Sequence, residues 1–516
     1  MNTLLTNNSA MVALETLRGI NKDLADVQAE ISTGKSVANA KDNAAIWAIS
    51  TVMSTDVESF KQINDSLNKG SATVGVARNA AESATTLIQE MKELIVSAQD
   101  DLNADDRTRI QADITAKRDQ ISNIVNAAQF NGVNLVQGSD DVTFLASLDR
   151  QADGTVSTSN INVGRQDLTT TAGVFGQGIS DTLSAAFATV DGGTTNNATM
   201  DAATGKALQF DITQANDDAY TLTVNGTQLS YQSDADATTA EIQAGLAAQI
   251  NALGIEGLTV DTGTPDKLIL RNENPFTSIT ATADSDVSAN FVAETNDGAT
   301  VAGGDANALQ TLAQRATSID FSATAAIEEG RGFRITVGTD SFTYIAGKGE
   351  TTADVARGLK TAIDSAGVSG VTAEVQFDAD TNIWSLAVDD ATGGQAIDIV
   401  ANDGAGTASG GLFGLDQIDV STAENAIAAL SNIETLLGNS ISAAAAFGSD
   451  QGRIESQSEF VTQLSDALTS GIGTLIDADL EAASARLQAL QVQQQLGTQA
   501  LSIANQSPQS LLSLFQ

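Results

Sequence analysis

Neither cysteine nor histidine occurs in the chain, and proline occurs only at Pro265, Pro275 and Pro508. The first two absences remove disulfides, thiolate nucleophiles, thiolate or imidazole zinc sites and every histidine-based triad. Basic residues are scarce too: 25 lysines and arginines stand against 65 acids, a net charge of -40. Such a surface repels phosphate backbones and anionic headgroups, so no nucleic-acid and no membrane partner is expected. No run approaches the roughly 20 apolar residues that span a bilayer; Ala443 to Phe447 is among the longest. Met1 to Glu15 lacks a basic stretch followed by an apolar core, so a cleaved secretory signal is not expected and export would take another route. Carboxylates are too numerous to nominate an acid and base pair, and we assign no catalytic, cofactor-binding or metal-binding residue.

What the sequence does hold is a pair of narrow apolar stripes at its two ends. Ile476, Leu480, Ala483, Leu487, Leu490, Gln494, Gly497, Leu501 and Ala504 advance by fours and threes, the spacing of a coiled-coil seam. Glutamines surround that stripe, so a lone helix would gain too little from folding and needs a partner. Leu17, Ile20, Leu24, Val27 and Ile31 repeat at the same spacing within Ala10 to Gly34, with Gly34 as a stop signal. The two termini are therefore expected to pair.

Between them lie more helices and then strands. Asp42 and Asn43 are cap candidates for a helix through Phe60, and a longer helix follows from Val74 to Leu102. Asp100 to Asp105 marks a turn, a helix resumes to about Ala128, and Asn131-Gly132 between Phe130 and Val133 signals a tight hairpin. From Thr422 helical spacing returns through Leu468, with Gly471 and Gly473 as an expected hinge before the last helix. In the middle, Tyr220, Leu222, Val224, Tyr231, Ile242, Leu246 and Ile250 recur as Phe333, Ile335, Val337, Tyr344, Val355, Leu359 and Ile363 at a constant offset, 333 − 220 = 113. That register argues for a duplicated ββαββ unit.

The motifs at both ends carry a resemblance. Ile31-Ser32-Thr33-Gly34, Asn39-Ala40-Lys41-Asp42-Asn43-Ala44-Ala45 and Gln129-Phe130-Asn131-Gly132 resemble the amino-terminal signature of bacterial flagellins. Asp477-Ala478-Asp479-Leu480, Gln494-Gln495-Leu496-Gly497-Thr498 and Ala504-Asn505-Gln506-Ser507-Pro508-Gln509-Ser510 are similar to their carboxyl terminus. Asn2, Asn7, Asn8, Ser9, Ala10 and Met11 look like the alphaproteobacterial variant, while Ile46 and Trp47 stand where the family has smaller residues. The resemblance implies a structural, non-enzymatic subunit that self-assembles into the helical, extracellular flagellar filament for swimming motility. It implies as partners other flagellin subunits, the filament cap, hook-junction proteins, an export chaperone and the flagellar export apparatus. A hook-filament junction protein is the neighbouring alternative; an adhesion or carbohydrate-binding protein carried by the outer repeats is the more distant one.

The expected fold is multidomain α plus β: a coiled-coil helical bundle formed by paired N- and C-terminal regions, with inserted β-rich outer domains. Residues 1–40 and 475–516 form terminal coiled-coil segments, and 41–138 with 421–474 a helical bundle with a hairpin. Residues 139–205 form a β-rich linker or subdomain, 206–300 one outer repeat and 301–420 the other. The polymerisation seam is assigned to Leu17, Ile20, Leu24, Val27, Ile31, Ile476, Leu480, Leu487, Leu490 and Leu501. The resemblance adds Asn39, Lys41, Asp42, Phe130, Asn131, Gly132, Asn505, Gln506 and Pro508 as signature positions. Two weaker motifs remain: Asp378 to Asn382 has half the acidic spacing of a calcium loop but carries Ile383 where that loop needs glycine, and reads better as a turn. Asn197-Ala198-Thr199 and Asn225-Gly226-Thr227 fit the glycosylation acceptor pattern.

Overall fold

The computed structural model describes residues 7–100, 102–151, 155–177, 180–181, 187–190, 193, 196–202, 205–214, 217–284, 291–295, 310–402 and 406–513. The helices are α1 (Asn8–Thr33), α2 (Ala44–Ser97), α3 (Ala104–Ala127), α4 (Thr239–Ala252), α5 (Thr352–Ala366), α6 (Ala423–Ile476) and α7 (Leu480–Ser513). The chain divides into two compact units, Met1–Val74 with Val142–Val163 and Gly448–Gln516, and Gly75–Asp141 with Gly164–Phe447. Helices α2 and α6 contribute residues to both.

Two sequence expectations about helix breaks change. The two helices expected between Asp42 and Leu102 are one 54-residue helix, α2. Nothing in that stretch breaks it: there is no proline, and Gly70 is held in place, because a Cβ there would lie 3.0 Å from the Phe144 ring. The hinge expected at Gly471 and Gly473 is also absent, since α6 runs through both and stops at Ile476. The break falls instead at 477–479, where the Asp479 side chain accepts from the Glu481 and Ala482 amides, each at 3.0 Å, and starts a new helix. Ile476 thus closes α6 rather than opening the last helix.

In the first unit, Val57, Phe60, Ile63 and Leu67 of α2 and Ile454 and Val461 of α6 are buried. Polar residues tie the two helices: Asn64 donates to Thr462 at 2.7 Å and accepts from Ser458 at 2.6 Å. A hairpin of β3 (Val142–Arg150) and β4 (Val156–Val163), following the short strands β1 (Gln129–Phe130) and β2 (Val133–Asn134), packs here. Gln457 donates to its Ala146 carbonyl at 3.0 Å, and Arg150 pairs with Asp56.

In the second unit, Ala81, Ala84, Ile88, Met91 and Ile95 of α2 are buried with Ile433, Leu436 and Phe447 of α6 and Ile114 and Ile121 of α3. Small residues let the helices approach: the Thr85 and Ser440 hydroxyls lie 2.8 Å apart. Arg107 of α3 donates to the Ala98 and Asp100 carbonyls, meeting the unsatisfied end of α2 with a cation. Asn131 (φ 49°) and Gly132 (φ 81°) turn β1 into β2, both in the left-handed region that a two-residue hairpin demands.

Strands β5 (Ser180–Asp181), β6 (Phe187–Val190) and β7 (Asn197–Thr199) precede the duplicated unit. Its first copy is β8 (Lys206–Ile212), β9 (Ala219–Val224), β10 (Thr227–Gln232), α4, β11 (Leu258–Asp261), β12 (Lys267–Asn272) and β13 (Ile279–Asp284). After β14 (Phe291–Thr295) and β15 (Gln310–Leu312) comes the second: β16 (Thr317–Phe321), β17 (Gly332–Val337), β18 (Asp340–Ile345), α5, β19 (Val371–Asp378), β20 (Ile383–Asp390) and β21 (Ala396–Asn402). The ββαββ unit is present twice, with one further strand at each end. In both copies the first strand pairs with the fifth, β8 with β12 and β16 with β20, and the second with the last, β9 with β13 and β17 with β21. Each copy has its own core, around Phe210, Tyr220 and Leu246 in one and Phe321, Phe333 and Leu359 in the other. Residues 139–205 have two destinations: β3–β4 lies on the first unit's helices, while β5, β6 and β7 pair with β21 and β16 of the second copy. Likewise β15 pairs with β13 and so belongs to the first copy, although it lies beyond residue 300.

The acidic run at Asp378 is spent on its own turn. Its carboxylate accepts from the Asp380 amide at 2.9 Å and the Thr381 hydroxyl at 2.7 Å, joining β19 to β20. Asn225 also serves a turn, accepting from the Thr280 amide at 2.9 Å.

Candidate functional site: the paired terminal helices

Helices α1 and α7 lie side by side and antiparallel. At one end, Gly34 takes the left-handed conformation (φ 69°) that stops α1, and its carbonyl accepts from the Ala478 amide at 3.0 Å. The Ser36 amide donates to the Ile476 carbonyl at 2.7 Å, so the corner between α6 and α7 is sewn to the end of α1. At the other end, the Asn7 side chain caps α1 at the Ala10 amide and donates to the Ala504 carbonyl at 2.8 Å. Midway, Gln494 donates to Asn21 at 2.7 Å.

Along the seam, Val27, Ala483 and Leu490 are buried, and Ile20, Leu24, Ile31 and Leu487 pack against them half-covered. Leu17 and Leu501 are half-buried as well, and Gly497 brings α7 close: a Cβ there would stand 2.9 Å from a Leu17 methyl. Ile476 is buried, at the corner rather than in the seam. Leu480, assigned to the seam, is 49% exposed: it is the first residue of α7, directly after the 477–479 break, and is not among the side chains that pack in the seam.

Sequence reasoning missed a second apolar row. Val492, Leu496 and Ile503 of α7 are 56%, 58% and 69% exposed, and they too advance by fours and sevens. The signal was in the sequence, hidden by the intervening glutamines, which made the helix read as one-sided.

The signature positions around the corner hold the loop after α1. Asp42 accepts from the Ala38 and Asn39 amides, each at 3.0 Å, Asn39 accepts from the Lys41 amide at 3.0 Å, and Asn43 caps α2 at Ala45 and Ile46. Phe130, Asn131 and Gly132 form the hairpin of the second unit, and Asn505 and Gln506 are exposed on α7. The side chain of Pro508 lies outside the described residues.

These same stretches match known families. Residues 4–141 match the bacterial flagellin N-terminal helical region and residues 421–515 the bacterial flagellin C-terminal helical region. Flagellin D of Rhizobium meliloti is 30% identical over 523 residues, covering 100% of both chains. The chain belongs to the bacterial flagellin family. Flagellin A of Rhizobium meliloti is 29% identical over 521 residues, again 100% of both chains, and Flagellin FljK of Caulobacter vibrioides is 40% identical over 174 residues, 33% of this chain and 63% of that one. It is a flagellin of the alphaproteobacterial type, a structural subunit of the extracellular flagellar filament. The match to flagellins runs the full length of the chain, through the repeats as well as the termini, and supports the filament-subunit reading. The main-subunit reading stands over that of a junction protein.

Proposed function

We propose that the α1–α7 pair is the polymerisation seam of this flagellin, and that its residues Leu17, Ile20, Leu24, Val27, Ile31, Leu487, Leu490 and Leu501 act there. The observation that carries the reading is the uncovered row of Val492, Leu496 and Ile503 beside a seam that already joins the two termini. A pair of helices with an apolar row still in water gains stability when other subunits cover it, and contacts that do not close into a ring build an open filament. In this reading 1–40 and 475–516 line the inner tube, 41–138 and 421–474 the outer tube, and the repeats stand outside. The monomer's termini fray and become fully ordered only in the polymer. Family resemblance further supports export without a cleaved signal, through the flagellar export apparatus with a chaperone, and contacts with the filament cap and hook-junction proteins.

The test separates the seam from the uncovered row. Leu490→Glu is expected to prevent filaments, seen by electron microscopy at raised concentration, while circular dichroism shows the repeats still folded. Leu496→Glu is expected to leave the monomer as helical as the unaltered chain by circular dichroism and still stop growth. Normal filaments from both variants would refute the reading.

A further inference from the structure

Within the second unit, Lys360 of α5 meets α6 in a closed polar ring. Its Nζ donates to Asp364 Oδ2, one turn further along α5, at 2.5 Å and to Asn432 Oδ1 of α6 at 3.1 Å. Asn432 is in turn a hydrogen-bond partner of the Asp364 carboxyl, so each of the three side chains touches the other two. Water is nearly shut out: the Lys360 and Asp364 side chains are 9% and 8% exposed, and Asn432 is 6% exposed. Leu359 and Ile363 of α5 and Ala429, Ile433 and Leu436 of α6, their neighbours along the two helices, are buried too.

Lys360 is the one buried lysine among the described residues. A buried ion pair is a weak source of stability, since desolvating both charges offsets most of their attraction. The groups in contact are, however, a nucleophile, an amide and a proton carrier. Moving the proton from Nζ to Asp364 turns the ion pair into a neutral amine beside a neutral acid, and creates no net charge in the buried site. Burial pushes the Asp364 carboxyl up in spite of the Lys360 charge, which favours that arrangement. The amine already touches Oδ1 of the amide, and the carbonyl carbon lies one bond behind that oxygen, so an attack would be intramolecular and short.

We propose that Lys360 and Asn432 join in an intramolecular isopeptide bond, with Asp364 as the catalytic residue. The neutral Lys360 Nζ attacks Asn432 Cγ while the Asp364 acid donates its proton to the developing oxyanion. Asp364 then takes the surplus proton from Nζ and passes it to Nδ2. The Nζ–Cγ bond has formed, the Cγ–Nδ2 bond breaks, Nδ2 leaves as ammonia, and the oxyanion proton returns to Asp364 as the carbonyl reforms. Nothing is oxidised or reduced, and no co-reactant enters. The bond ties the second repeat to α6 across 72 positions, in a chain with no cysteine for a disulfide. It forms only once α5 has docked on α6, because docking is what brings the three groups together.

The test is mass spectrometry of the folded full chain. Its intact mass is expected to fall about 17 Da below the encoded value, the loss of one ammonia. A tryptic digest is expected to contain a branched peptide joining the α5 and α6 segments through Lys360 and Asn432, with no cleavage after Lys360. Lys360→Arg keeps the positive charge without an amine that can form the bond, and Asp364→Asn keeps the shape without the proton carrier. Both variants are expected at their full encoded mass, with the two peptides separate. If either variant fails to fold, the branched peptide from the unaltered chain decides alone. Full encoded mass in the folded chain, an ammonia loss that maps to an unlinked Asn432 peptide, or an undiminished yield of branched peptide from Asp364→Asn would overturn the inference.

Discussion

At the scale of single residues, the two repeats share a contact that explains a pair of helical glycines. A Cβ on Gly245 of α4 would lie 2.1 Å from the Tyr231 ring, and one on Gly358 of α5 would lie 2.5 Å from the Tyr344 ring. Both pairs obey the repeat offset, 358 − 245 = 113 and 344 − 231 = 113. Each glycine is a seat for a tyrosine. Tyr344 cannot move aside, being buried, hydrogen-bonded to Glu350 and 6.0 Å from the Phe413 ring, whereas Tyr231 is only partly buried against its core. Overpacking of about 1–3 kcal/mol outweighs the roughly 1 kcal/mol of helix propensity that alanine adds. Gly358→Ala is therefore expected to destabilise its repeat by roughly 1–2 kcal/mol, and Gly245→Ala to be near neutral, as denaturant melts of the two variants would show.

Glu350 gives a prediction in pH. Its folded value, about 7, lies above the ordinary 4.5, chiefly through burial, so the folded chain holds this proton more tightly than the unfolded one. The stability linked to it is complete below about pH 4.5 and is lost as pH rises through 7. Glu350→Gln, neutral throughout, should gain in melting temperature over the unaltered chain between pH 5 and pH 8. An unchanging difference across that range would contradict the burial argument.

At the scale of elements, helix periodicity was the most readable feature and helix breaks the least. The alanine ladder from Ala77 to Ile95 and the leucine seam could be seen because apolar side chains repeat, whereas an ending depends on local hydrogen bonds. Gly471 and Gly473 look like a hinge only if flexibility is read from composition; the chain bends where Asp479 offers an acceptor to amides that α6 has left behind. Asp479→Ala is expected to cost about 1 kcal/mol at the start of α7, visible as roughly fivefold faster hydrogen exchange at Glu481 and Ala482. The strands of the repeats could be read from alternation, but their outermost members could not. β5 to β7 and β15 are short, and they join sheets whose other strands lie far away in sequence, so no local pattern announces their partners.

At the scale of the molecule, duplication was legible from the constant offset, but not how the copies are joined. The joint is polar and largely buried. Arg315 grips Asp389 with two hydrogen bonds of 2.8 and 2.6 Å, their side chains 13% and 4% exposed, while Gln376 donates to the Gln314 side chain at 2.9 Å and the Phe276 carbonyl at 3.1 Å. Breaking such a pair strands a buried carboxylate, at about 3–5 kcal/mol. Arg315→Ala is expected to lower the melting of the second repeat by that order and to split one calorimetric transition of the repeats into two.

The bond from Asn7 to Ala504 spans 497 positions, nearly the full polymer of amino acids. Whatever delivers this polypeptide must release almost all of it before its beginning can meet its end. A copy cut short anywhere upstream of α7 can finish its repeats yet never finish its base. If the terminal pair is the polymerisation seam proposed above, a truncated chain would lack half of it by connectivity alone.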